Sequence, residues 1–278
     1  KVKQNSLDDN GWNLVDEKSQ ILLEKIRNRG IPLEEYVNKK VYYGIKTGLN
    51  EAFVIDSSTR EQLISDAPKS EELIKPFLVG KDIKKYQTLI TDRYLIFTRR
   101  GINIKDYPAI EKHLNQFKQQ LIPKPKDWKG ENWYGRKPGI YQWYEIQDTV
   151  DYYLEFEKPK IIYPVICNRP EFTFEETGMY ANDKCFIIST SDKYLLGILN
   201  SPIIFFLFRL ILPKLRGDFY ETRYVYLKDF PIRAIDFSNS TDKIKHDQIV
   251  ELVNRMLISN QKLSSTRTPQ EKNLLQRQ

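Results

Sequence analysis

The run Tyr42-Tyr43-Gly44-Ile45-Lys46-Thr47-Gly48-Leu49-Asn50-Glu51-Ala52-Phe53 constrains this chain more than any other stretch. Two β-favouring tyrosines lead into a glycine, a Lys-Thr pair, a second glycine and an Asn-Glu step, before Ala-Phe-Val-Ile-Asp. That order predicts a strand, a tight turn, and a second strand over 52–56 that pairs back on the first. Gly44 and Gly48 permit positive φ or a close backbone approach, and Asn50 tolerates the left-handed region. Such a turn sets Lys46, Thr47 and Asn50, with free amides, at the lip of a sheet. There they suit an anion or a polymer backbone, and they suit a plain hairpin equally well.

A chain of 278 residues can form one large domain or two moderate ones and bury a sizeable core. Its hydrophobic share of 40% and charged share of 29% are those of a soluble globular protein. The 17 Tyr, 14 Phe and 4 Trp supply rings for cores and for stacking surfaces. A net charge of +7 is compatible with a polyanionic partner. The excess is uneven, with 21 basic against 17 acidic residues over 1–120, 15 against 15 over 121–230, and 8 against 5 over 231–278. A nucleic-acid surface therefore has to arise from clustering in three dimensions.

Cys167 and Cys185 lie in apolar surroundings and read as buried free thiols of a reducing, cytoplasmic compartment. No signal peptide opens the chain, and its most apolar run, 203–212, is interrupted by Arg209 and too short to span a bilayer. No membrane association is expected. The absence of an initial Met and the ending inside a helical pattern lead us to expect a fragment of a longer protein.

Residues 1–15 read as irregular, and Asp16 as the cap of a helix to about residue 29. A capping-box pattern at Ser58-Thr59-Arg60-Glu61 predicts a short helix, and another from about Ser70 to Pro76. A strand is expected over 94–98 and a helix over 107–120. Residues 123–143 form a long irregular loop whose Trp128, Trp133, Tyr141 and Trp143 argue for packing or function and against disorder. Strands follow at 160–166, 171–174 and 185–190, the last closed by Ser191. Helices come next at 194–199 and from Ser201-Pro202 onward. Residues 215–220 read as a loop, 224–227 as a strand, and Asp242 onward as a long amphipathic helix, with Thr268 capping one more. The order gives an α+β fold: a twisted mixed sheet with peripheral helices, followed by a C-terminal helical spacer. The expected division is 1–235 and 236–278.

No catalytic, cofactor-binding or metal-binding residue emerges. The two histidines, His113 and His246, are far from either cysteine and cannot complete a zinc site. Walker A, dinucleotide-binding and nucleophile-elbow patterns are missing. Asp16-Glu17-Lys18 has the letters of a magnesium nuclease but sits at a helix start. What remains is a set of basic and aromatic loops, which suit phosphates and base edges. The candidates for DNA contact are Lys46, Thr47, Asn50, Lys81, Lys84, Arg99, Arg100, Arg136, Lys137, Tyr141, Trp143, Lys214, Arg216 and Arg223.

The run 43–53 resembles the signature turn of the TaqI-like C-terminal specificity domains of adenine-specific DNA methyltransferases and single-chain restriction-modification enzymes. Lys75-Pro76-Phe77-Leu78-Val79-Gly80-Lys81-Asp82-Ile83 is similar to that family's second turn, and Trp143-Tyr144-Glu145-Ile146 to the end of its variable loop. Lys158-Pro159-Lys160-Ile161-Ile162-Tyr163-Pro164, Leu196-Gly197-Ile198-Leu199-Asn200-Ser201, Arg216-Gly217 and Phe230-Pro231-Ile232 follow in the family's order. The resemblance spans about residues 12–235. It implies sequence-specific recognition of double-stranded DNA for a methyltransferase domain of the same longer chain, with S-adenosylmethionine bound there, and magnesium if a nuclease domain is also present. The tail from Asp242 resembles the helical spacer that docks on the methyltransferase or pairs between recognition domains. The Asn-Pro-Pro-Tyr and cofactor-glycine motifs are missing, and Asn168-Arg169-Pro170 and Asn200-Ser201-Pro202 do not replace them. A protein-interaction module of a phage-defence methyltransferase system is the alternative of a different class. A metal-dependent nuclease ranks behind both.

Overall fold

A computed structural model describes residues 16–266. Along the chain lie α1 (Glu17–Arg27), β1 (Ile31–Pro32), α2 (Leu33–Tyr36), β2 (Val41–Tyr43), α3 (Asn50–Phe53), β3 (Val54–Asp56) and α4 (Ser57–Asp66). A short 3-10 helix at Pro68–Leu73 precedes β4 (Ile74–Leu78), β5 (Arg93–Ile96), α5 (Pro108–Asn115) and α6 (Lys118–Leu121). After the long loop come β6 (Lys160–Pro164), β7 (Ile166–Cys167), β8 (Thr173–Glu175), β9 (Tyr180–Ala181) and β10 (Cys185–Ile188). The last third holds α7 (Lys193–Leu199), α8 (Pro202–Ile211), β11 (Lys214–Leu215), β12 (Phe219–Glu221), α9 (Tyr224–Leu227), β13 (Pro231–Ile232) and α10 (Ser240–Ser265).

Side-chain caps set several helix starts, because the first N–H groups of a helix have no partner inside it. Asp16, Asp56, Asp192, Ser201 and Asn239 each accept from a backbone N–H in the first turn that follows. Asp56 therefore opens α4 just ahead of the expected Ser58, and Asp192 replaces Ser191 ahead of α7. The fold is α+β, as the sequence leads one to expect.

Two four-stranded sheets, ordered β2-β10-β6-β8 and β3-β5-β4-β9, carry the fold. The first is antiparallel throughout, and the second ends in the parallel pair β4-β9. Its partners come from Val54–Asp56 on Arg93–Ile96 and from Ile74–Pro76 on the same strand. Every residue of β6 is buried, because the first sheet lies between two hydrophobic cores. Ile162 and Ile187 join Phe53, Phe77, Leu95, Ile110 and Phe156 on one side. Ile161, Tyr163 and Ile188 join Leu33, Phe172, Leu199, Phe208 and Phe230 on the other. Helix α10 adds Val253 to this second core. It packs on α7 where Gly197 leaves room for Ile249 and Val253.

The glycine turn is not a hairpin. β2 and β3 belong to different sheets, so residues 44–49 carry the chain from one to the other. The return crossing, from β9 to β10, lies alongside. Ile45 bridges Asn182 in parallel, its N–H donates to the Ala181 carbonyl, and the Gly44 N–H donates to Cys185. A Cβ on Gly44 would overlap the Asn182 carbonyl oxygen, whereas Gly48 is needed for its φ of +87°. The structure departs from expectation elsewhere too. Lys75 and Pro76 lie in strand β4, and 107–120 breaks into two helices. Residues 214–221 form a hairpin closed by Gly217 and Asp218, both with positive φ. Tyr224–Leu227 is a helical turn, because the chain must bend there to pair β13 with β1. The expected cap at Thr268 and the irregular 1–15 lie outside the described residues.

One ion pair is fully enclosed. The Lys160 ammonium, with no exposed surface, bonds Glu175 and the Phe156 carbonyl. Glu175 also accepts from the N–H groups of Thr177 and Met179. Burial lowers the Lys160 pKa, and Glu175 opposes the shift. Lys160→Met leaves that carboxylate buried without its cation, so denaturant unfolding should show a loss of about 3–5 kcal/mol. Gly44→Ala must push the two crossings apart. It should abolish the cooperative unfolding transition that a Gly101→Ala control retains, since there the Cβ meets nothing and only the φ of +82° is penalised, by about 1–2 kcal/mol.

Candidate nucleic-acid interface

Arg136 anchors the long loop. Its residue is 4% exposed, and its five N–H donors meet five backbone carbonyls. Nε donates to Leu121 at 2.8 Å, one terminal nitrogen to Thr47 (3.1 Å) and Glu145 (2.6 Å), and the other to Gln142 (3.2 Å) and Trp143 (2.9 Å). The planar fork of five donors makes arginine the side chain able to do this. One cation thereby ties the end of α6, the glycine turn and the loop's exit together. Burial pulls its pKa down to about 10, far above neutrality, so it stays charged. Tyr141 lies between two guanidiniums, with Arg136 4.5 Å and Arg100 5.0 Å from its ring centre. Arg100 in turn donates to the carbonyls of Ile146 and Gln147.

These bonds correct the sequence reading at several positions. Arg136 is spent on carbonyls and cannot reach a phosphate. Thr47 is buried, and its hydroxyl donates to Asn50 at 2.7 Å. Arg100 and Tyr141 are half-buried parts of the same clamp. Trp143 packs against the first core, edge-on to Tyr144 and under Lys118. Arg99 turns the other way, over the Tyr153 ring at 4.9 Å. The structure does not bring the two adjacent arginines together.

The other candidates are at the surface. Lys46, Lys81, Lys137 and Arg216 form no ion pair among the described residues, and Asn50 is exposed. Lys84 pairs with Glu171 (2.9 Å), Lys214 with Asp218 (2.8 Å) and Arg223 with Glu221 (2.6 Å). The Lys214 and Arg223 pairs are solvent-facing, worth about 0–1 kcal/mol, and yield readily to a phosphate, whereas the Glu171 partner of Lys84 is buried.

Residues that the sequence did not single out join these into a strip. Tyr43 stands exposed on β2 against the Phe186 ring. Partial burial and Asp183 push its hydroxyl pKa up, with Lys184 and Arg223 opposing. Asp148 acts on both Tyr43 and Tyr141, and its N–H donates to the Lys46 carbonyl. The Lys184 backbone in turn lies against Gly80, beside Lys81. Tyr43 thereby neighbours Asp148, Lys184 and Arg223, which brings the exit of the loop 123–143, the crossing after β9 and the residues just beyond the hairpin 214–221 near the glycine turn. Lys184 is legible only as the third residue of the tight crossing after β9, and Tyr43 only once β2 is known to lie at a sheet edge.

With this geometry in view, comparison with known proteins gives the class. The family model of the TaqI-like C-terminal specificity domain matches residues 75–232, more than half of the chain. The chain belongs to that family. The matched segment begins after the glycine turn, which was the first element of the resemblance. Among relatives, type II methyltransferase M.BanIII of Aneurinibacillus aneurinilyticus is 22% identical over 90% of this chain and 43% of its own length. Type II methyltransferase M.PaeR7I of Pseudomonas aeruginosa is 23% identical over 77% of this chain and 36% of its own. The chain thus spans less than half the length of these relatives. The type IIL restriction-modification enzyme MmeI, solved in complex with DNA, shares the fold, with a TM-score of 0.57 at 15% identity, over 86% of this chain and 31% of that one.

Removing the Arg136 guanidinium leaves Thr47 and Gln142 the N–H groups of Gln147 and Glu145. It takes the donor from the Leu121, Trp143 and Glu145 carbonyls, each costing about 1–3 kcal/mol when buried and unpaired. Arg136→Ala should lower stability by at least that of one carbonyl and expose 123–143 to limited proteolysis. Lys offers three donors on a different geometry and should not rescue. Unchanged protection of the loop in Arg136→Ala would refute the anchoring role.

Proposed function

We propose that this domain recognises a specific sequence in double-stranded DNA and positions that DNA for a methyltransferase domain of the same longer chain. Membership of a family of specificity domains carries the reading. The surface cations support it, because Lys and Arg at strand ends and turns grip phosphates while loops reach base edges. Lys46, Lys81, Lys137 and Arg216 are free of ion pairs among the described residues, and Lys184 and Arg223 are held only in pairs with neighbouring carboxylates. In this reading Lys46, Lys81, Lys137, Lys184, Arg216 and Arg223 hold the backbone, and the 123–143 loop and the 214–221 hairpin read the site.

We assign to the parent protein a site-specific adenine methyltransferase activity, with an endonuclease as a further activity. Both would act in the cytoplasm. We place S-adenosylmethionine outside this domain. The Asn200 side chain is bonded to both backbone groups of Phe172, and Ser201 caps α8, so the Asn200-Ser201-Pro202 step is structural. No cluster of three His, Cys, Asp or Glu suits a metal ion among them either. Both groups belong, in this reading, to the methyltransferase and nuclease regions. Residues 236–278 serve as the arm that docks on the methyltransferase. No single described helix is long and apolar enough to cross a membrane.

Fluorescence anisotropy with a random-sequence duplex across a salt series tests the reading. Clamping six phosphates, one for each backbone-holding cation, gives a slope of log affinity on log salt of about −5.4, and Lys81→Ala or Lys46→Ala should each reduce it by about 0.9. A slope near zero, or no binding in low salt, would sink it.

A further inference from the structure

The basic loop carries two large apolar side chains that nothing in the fold covers. Tyr134 is 90% exposed and Ile140 89%, the highest values among the exposed large hydrophobic residues described. Single exposed apolar residues are ordinary. These two differ in how they are held.

Each stands at an apex fixed from both sides. Trp133 turns inward, its indole N–H on the Ile122 carbonyl at 3.2 Å and its ring 5.0 Å from Trp128. Gly135 lies so close to Ile122 that a Cβ there would overlap its carbonyl oxygen. Arg136 follows, locked and buried. Tyr134 is therefore the residue forced out between two inward neighbours. Ile140 tops the turn Lys137-Pro138-Gly139-Ile140-Tyr141, which closes through the Tyr141 hydroxyl on the Lys137 carbonyl. The Tyr141 ring fills the space where a Cβ on Gly139 would go. The same loop carries Lys124, Lys126, Lys129 and Lys137, none in an ion pair among the described residues.

We propose that Tyr134 and Ile140 are wedges that enter DNA between base pairs, kinking the duplex while the four lysines hold the flanking phosphates. The inference rests on the DNA reading above. A rigidly displayed apolar side chain amid phosphate-binding cations is what such insertion requires. The unstacking cost is met by the extra surface that a bent duplex brings into contact. Flexible steps bend at lower cost than stiff ones, so the wedges also contribute to which sequence is chosen, without a hydrogen bond to any base.

The test uses duplexes of about 30 base pairs, recovered from a random pool by binding to the wild-type chain and labelled at both ends for energy transfer. Wild type should shorten the end-to-end distance on binding. Tyr134→Ala with Ile140→Ala should abolish the shortening and weaken binding about 5- to 100-fold. The salt slope and the thermal midpoint should stay at wild-type values, since no phosphate contact or core packing is lost. Tyr134→Phe with Ile140→Leu should restore the bend. The wedge is overturned if wild type binds without shortening the distance, or if the double alanine variant bends the duplex as well as wild type does. It is also overturned if that variant loses salt slope together with affinity, which would make the loop a phosphate contact alone. Failure of the wild-type chain to enrich any duplex would remove the DNA reading and the wedge with it. Binding of a protein partner that the double variant loses, with duplex bending intact, would overturn the wedge in favour of a protein-docking tip.

Discussion

Two backbone crossings that touch at Gly44 hold this domain together. Strand β2 hands the chain to the second sheet, and β9 returns it to the first through Asn182. The crossings run side by side, bonded from Gly44 to Cys185, from Ile45 to Ala181 and from Asp183 to Ile45. No side chain fits between them at Gly44. Because the first sheet is buried on both faces, moving either crossing would disturb both cores at once.

A second constraint, the Arg136 guanidinium, is built onto the first. It reaches the Thr47 carbonyl in the same turn that Gly44 opens, so the loop's anchor and the sheet junction share a foundation. Burying a cation is costly unless every donor is satisfied, and here five carbonyls do so. The consequence is a loop of irregular backbone that is nonetheless fixed in shape. Its aromatic residues divide accordingly: Trp133 and Tyr141 hold it together, while Tyr134 faces outward.

Arg136 and Lys137 show how far the candidate site could be read in advance. Neighbouring cations in one loop look alike in a sequence, yet one is a buried clamp and the other a surface charge. Arg99 and Arg100 part in the same way. Thr47 is withdrawn by a short bond to Asn50. In the other direction, Lys184 and Tyr43 gain a place in the strip because β2 and the β9–β10 crossing meet, although 141 residues separate them. Charge and ring type show what a residue can bind. They do not show which way it faces.

The amino-acid order on its own determined the α+β class, the cap at Asp16, the α8 start at Ser201-Pro202, the irregular loop at 123–143, and the family through its ordered short motifs. These depend on neighbours within a few residues, where local bonding decides. The tertiary structure alone decided that the glycine turn crosses between sheets, that 214–221 pairs as a hairpin, and that 224–227 coils despite its β-favouring residues. It also decided which cations remain free for a polyanion. Each of those outcomes turns on a bond to a distant segment, Asn182 for Gly44, Ile166–Cys167 for β12 and five carbonyls for Arg136, and local propensity carries no record of such partners.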